Sequence, residues 1–85
     1  MHKTSERFRK CLARLTEQEQ NIARRRFELL KTNPEHPSLH FKKVGGYWSV
    51  RIDRSRRALA LKQEDDYVWF WIGPHDEYDR LINER

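Results

Sequence analysis

Cysteine is almost absent from this 85-residue chain, with Cys11 as its single representative. One thiol allows no internal disulfide and no multi-cysteine metal cage, so the fold must hold without either. Cys11 lies among apolar residues at helical spacing, which reads as a small core residue rather than a reactive thiol. With three glycines and three prolines, the chain has few breaks, and no repeat, linker or low-complexity tract occurs. Long apolar runs are missing too. The longest, Tyr67 to Ile72, is strand-sized, far below the ~20 residues of a membrane span, and no signal-like segment is present. These absences point to a cytoplasmic protein with no membrane association.

What the chain does have is charge and aromatic rings. Charged residues make up 36% of it and aromatic residues 12%, on a hydrophobic fraction of only 36%. A domain this small has a marginal core, and rings that each bury ~150–250 Å² can supply much of it. The net charge of +5 is uneven. Residues 1–43 carry 11 basic and 5 acidic side chains, residues 44–85 carry 7 and 8. A basic balance favours a polyanionic partner, although a well-solvated small domain accounts for net charge alone equally well.

Phe8, Cys11, Leu12 and Leu15 fall at i, i+3, i+4 and i+7, which predicts a helix from about Ser5 to Leu15. Thr16 and Glu19 have capping-box spacing and open a second helix, with Ile22, Ala23, Phe27, Leu29 and Leu30 apolar. Asn33-Pro34 ends it. The short connection predicts a helical hairpin over about 5–33. A sheet over about 39–73 follows, beginning with a short strand at Leu39–Val44 and a Gly45-Gly46 turn. In Tyr47 to Asp53, Trp48, Val50 and Ile52 alternate with Ser49 and Arg51. The tryptophan face is assigned to the hairpin, leaving Ser49 and Arg51 on the open face. In Arg56 to Leu61 the alanines suit a covering helix, which puts Arg57 beside Arg51. Arginines inside strands suggest a face meant for an anion. Tyr67 to Gly73, apolar on both faces, reads as an interior strand. Gly73-Pro74 leads to a helix over about 75–83.

H-P-S-L-H-F-K-K-V (36–44), G-Y-W-S-V-R-I (46–52), R-A-L-A-L (57–61) and W-I-G-x-H-D-E-Y-D-R-L-I (71–82) together resemble the RelE/ParE toxin superfamily of type II toxin–antitoxin systems, most of all its RelE-like branch. The resemblance spans roughly Thr4 to Ile82. It implies one domain, residues 1–85, of α+β class: an N-terminal helical hairpin packed on one face of a curved, mainly antiparallel three- to four-stranded sheet, then a short C-terminal helix. It also implies a metal-independent endoribonuclease that cuts mRNA on the ribosome, needs no cofactor and is silenced by a cognate antitoxin. DNA would be met only through an antitoxin complex. By resemblance, Arg51 matches a basic place on its strand and Ser49 stands where some members have lysine. Arg57 matches an arginine that contacts the scissile phosphate. Tyr78 matches a tyrosine that stacks on or positions a base, and His75 stands near a C-terminal arginine or histidine. Two features depart from the pattern. The family's first strand is shortened or missing in the polar Met1 to Ser5, and no glutamate near His36 to His40 matches the base of one branch.

The chemistry needs a base for the 2′-hydroxyl, cations for the phosphorane and an acid for the 5′-oxygen. Imidazole titrates nearest neutrality, so His75 is the candidate acid, with Asp79 four residues on able to hold its tautomer. A backbone-bonded helix-terminus histidine is the plainer alternative. Arg51 and Arg57 are the candidate phosphate clamp, against a solvated face paired to Asp53 or Glu64. Lys42 or Lys43, only one of which can face the open side, could grip a flanking phosphate. Trp48, Trp69 and Trp71 read as core, and Arg54 and Arg56 as turn-exposed charges. His36 and His40 have ligand spacing, but Pro37 breaks the helix a metal site would need. Two alternatives stay open: a ParE-like or catalytically silent member acting by protein contact, and a small nucleic-acid-binding domain.

Overall fold

Ser5 starts the first helix. Its side-chain oxygen accepts the Phe8 amide at 3.1 Å, and α1 follows over Glu6–Ala13. The expected capping box is present. Thr16 Oγ1 accepts the Glu19 N–H at 3.1 Å, while Glu19 Oε1 accepts the Thr16 N–H at 2.9 Å. Such a cap is worth ~1 kcal/mol, and α2 runs Glu17–Thr32, ending just ahead of Asn33-Pro34. The computed structural model describes residues 1–83. Its remaining elements are β1 (His2–Thr4), a 3-10 turn (Pro37–Leu39), β2 (Lys42–Val44), β3 (Tyr47–Arg51), β4 (Arg56–Gln63), β5 (Asp66–Pro74) and α3 (His75–Asn83).

The sheet has five strands in the order β1-β5-β4-β3-β2, one more than the three or four expected. The additional strand is β1, shortened as the departure from the family pattern suggested and parallel to β5. Three polar residues form it because the backbone does the work: Tyr67 donates to Met1 O at 2.8 Å and Ser5 donates to Trp69 O at 2.9 Å. Lys3 pairs with Asp66 at 3.0 Å, and His2 Nδ1 accepts from Trp69 Nε1 at 3.0 Å. The other neighbours are antiparallel. Leu39, expected to open a strand, ends the 3-10 turn instead and is fully buried.

Alternation along the strands divides the sheet into two faces. On the hairpin side, Val50, Ile52, Ala58, Ala60, Trp69 and Ile72 pack with Phe8 of α1 and with Ala23 and Leu30 of α2. The small alanines let the helices approach, as predicted. On the other side α3 covers part of the sheet, and Tyr78 packs on Leu59 and Trp71. A bulge permits this. The β4–β5 register passes from Leu59↔Trp71 to Ala60↔Trp69, skipping Phe70. Phe70 and Trp71 therefore both join the cluster under α3 while Trp69 stays in the main core.

Candidate functional site

On the α3 side, β3 and β4 bring two arginines face to face. Arg51 and Arg57 are direct cross-strand partners, held by the tight Asp53–Ser55 turn. Like charges directly opposed across a sheet destabilise it. Backbone carbonyls partly satisfy them: Arg57 donates to Asp53 O at 2.8 Å and Arg56 O at 2.9 Å, and Arg51 Nε donates to Asp53 O at 3.4 Å. Neither has an ion-pair partner among the described residues. The carboxylate of Asp53, offered above as a mate, is occupied elsewhere. It accepts the Ser55 and Arg56 amides and pairs with the Arg56 guanidinium at 3.0 Å. Burial first, then the neighbouring Arg51, pulls the Arg57 pKa below the usual arginine range; Tyr78, Asp53 and Asp79 oppose that shift. Arginine stays protonated regardless, so the face holds two half-buried cations with no direct ion-pair partner among the described residues.

The arginines line a cavity of about 190 Å³ together with His40, Lys42, Ser49, His75 and Tyr78. They come from the end of the 3-10 turn, from β2, β3 and β4, and from α3. Lys42 sits opposite Ser49 in the β2–β3 register. His75 is the first residue of α3, its amide donating to Ser55 O at 2.7 Å. Its Nδ1 lies 3.1 Å from Asp79 Oδ2, the i,i+4 contact foreseen for a helical turn. Nε2 is thereby left as the ring nitrogen without that carboxylate. Tyr78 is only 7% exposed, its ring packed on Leu59 and Trp71, 5.6 Å between centroids from His75. A ring so covered is not a free stacking platform, so the role open to Tyr78 is positioning through its hydroxyl. Ser49, expected on an open face, is 3% exposed because α3 covers it. Its hydroxyl is hydrogen-bonded to Tyr78 Oη at 3.0 Å.

Of the consecutive lysines, only one of which was expected to face the open side, Lys42 does so. Lys43 is paired with Trp48 in register and lies outside the cavity lining, as alternation along a strand requires once Lys42 faces it. Arg56 is half-buried rather than turn-exposed, bridging Asp53 to Glu19 at the start of α2. One residue was missed. His40 lines the cavity because the 3-10 turn ends in a left-handed residue, φ 46°, that swings the chain back towards β3. Its pairing with His36 as possible metal ligands drew attention away from that. His36 is engaged instead with Ser38, whose amide donates to its Nδ1 at 3.2 Å. No group of three or more histidine, cysteine or acidic residues is poised for a metal among the described residues. Among them, too, no helix is long and apolar enough to cross a membrane.

No protein-family model matches the sequence, and no curated protein does. Solved structures do. YafQ from Escherichia coli strain BL21(DE3) superposes with a TM-score of 0.68 at 14% identity, covering 92% of this chain and 96% of that one. A chain of the RelB–RelE antitoxin–toxin complex from Methanococcus jannaschii gives 0.69 at 14% identity, with the same coverage of 92% and 96%. A copper-bound mutant toxin from Helicobacter pylori gives 0.60 at 18%, covering 89% and 94%. At these identities the likeness is one of fold, and it runs along nearly the whole chain: the architecture is the one these toxin structures share.

Proposed function

We propose that this chain, folded as the RelE/ParE toxins are, is itself a toxin: a metal-independent endoribonuclease that cuts mRNA during translation. The observation that carries the reading is the facing pair Arg51 and Arg57, without ion-pair partners among the described residues, in one cavity with two imidazoles. Guanidinium forks suit phosphate oxygens, and fixed cations of this kind stabilise a phosphorane by roughly 3 kcal/mol each. A ribose-phosphate linkage held there would have its 2′-oxygen attack phosphorus as the P–O5′ bond breaks, leaving a 2′,3′-cyclic phosphate and a 5′-hydroxyl. His75, oriented by Asp79, protonates the departing 5′-oxygen. His40, the second imidazole of the cavity, is the candidate base for the 2′-hydroxyl proton. Tyr78, held by Ser49, offers its hydroxyl to a phosphate oxygen, and Lys42 grips a neighbouring phosphate. The basic first half of the chain suits docking on ribosomal RNA.

A cognate antitoxin is the expected protein partner, since the Methanococcus jannaschii relative by fold was crystallised in a RelB–RelE complex. DNA is expected only through such a complex, and the working compartment is the cytoplasm. The test is expression of the lone chain. Wild type should arrest growth and leave transcripts cut within codons; His75→Ala and Arg57→Ala should relieve both while remaining folded. Healthy growth on a well-folded wild type would reject the proposal.

A further inference from the structure

The cavity does not end at Arg51. The same side chain also lines a second, shallower groove with Ile22, Arg26, Ser38, Ile52, Asp53 and Arg54. This groove exists because β2 is short. Its pairing with β3 ends at the Lys42↔Ser49 register, so beyond Ser49 that side of β3 meets the 3-10 turn rather than a strand. Charge there is one-sided. Asp53, the only acid among the described residues lining the groove, turns its carboxylate to Arg56 and to the turn amides. Arg54 is exposed at the turn. Arg26 comes from α2, its guanidinium donating to Ser38 O at 2.7 Å and Ser38 Oγ at 3.1 Å. Its buried Nε has no hydrogen-bond partner among the described residues. Ile22 and Ile52 give the groove an apolar floor.

We infer that this groove is a second phosphate subsite, which takes the adjoining linkage of an extended single RNA strand, with Arg51 shared between the two sites and Arg54 closing on the second phosphate. The inference rests on the nuclease reading only in taking the ligand of the first cavity to be a ribose phosphate. A guanidinium lining both sites suits two successive phosphates of one chain, so the class of ligand is a flexible single strand of several nucleotides rather than a mononucleotide. The apolar floor suits a sugar or base edge between the two phosphates. Arg26 acts mainly by fixing the groove wall, so Arg54, on the exposed turn and outside the proposed cutting machinery, is the residue to vary.

The experiment measures binding of fluorescent 2′-O-methyl oligoribonucleotides, which lack the attacking hydroxyl, to the full chain at several salt concentrations. Wild type should bind a tetranucleotide about tenfold more tightly than a dinucleotide. Arg54→Ala should erase that gain, leave dinucleotide affinity unchanged and make the logarithmic salt dependence for the tetranucleotide shallower by about 0.7, the loss of one phosphate contact on a single strand. Arg54→Lys should restore most of it. If Arg54→Ala keeps the full gain while Arg57→Ala weakens both lengths, the second subsite is overturned and the first cavity stands. If Arg57→Ala leaves both lengths unaffected, the ribose-phosphate reading of the first cavity falls and takes this extension with it. No binding by wild type at low salt would overturn the inference as well.

Discussion

The two faces of one sheet are built from the same strands and have opposite chemistry. On the hairpin side the buried core is apolar, with Trp69, Val50, Ala58 and Ala60 essentially inaccessible. Phe27, Phe41 and Trp69 there meet edge to face or tilted at 5.1–6.3 Å, geometries that favour ring pairs. On the α3 side, Leu59 and Trp71 carry Tyr78, but the β3–β4 end of that face is left to Arg51, Arg57 and His75. A stable sheet has no need of two opposed guanidinium groups. The contrast teaches that the hairpin side accounts for the fold while the α3 side carries charge the fold does not require; on the proposed reading, each can be disturbed without the other.

Trp69→Ala should have the largest effect, removing ~3–5 kcal/mol of stability through lost transfer energy and an unfilled cavity. Chemical denaturation would read it, and any loss of activity should follow the unfolded fraction alone. His75→Ala should do the reverse: about 10²–10⁴-fold slower RNA cleavage with an unchanged denaturation midpoint. An intermediate Asp79→Asn defect would tie the histidine to its carboxylate. The smallest effect concerns His2, stacked on Tyr67 at 5.2 Å and accepting from Trp69. Burial above all, then the terminal ammonium and Lys31, lowers its pKa below 6.5. The unfolded chain therefore binds a proton that the folded one resists, so stability should fall as pH drops from 6.5 towards the folded value. Melting curves across that window should show the slope, and His2→Phe should flatten it. The hairpin face thus has its own pH dependence, independent of the site.

Local signals explain what could be read in advance. The apolar spacing of α1, the Thr16–Glu19 box, the alternation of Tyr47 to Ile52 and the His75–Asp79 pair each lie within a few residues of sequence. Alternation, together with small alanines that suit a covering helix, puts Arg51 and Arg57 on one face, and the register bears that out. What escaped depends on distant partners. His2–Thr4 has no periodicity of its own and is a strand because β5 offers it a ladder. Arg56 meets Glu19 across 37 residues. The Phe70 bulge arises in the pairing of β5 with β4, and burial of Ser49 and Tyr78 follows from how α3 folds back. His40 required the left-handed turn that only the tertiary path reveals.

The contrast between the faces is tested most directly at Arg57, by measuring the stability and RNA cleavage of Arg57→Gln on the same preparation. Relief of a like-charge cross-strand pair should hold or raise stability by ~0.2–1 kcal/mol, while cleavage falls about 10²–10³-fold. A variant that loses stability and still cuts RNA at the wild-type rate would contradict the account, because Arg57 would then belong to the fold.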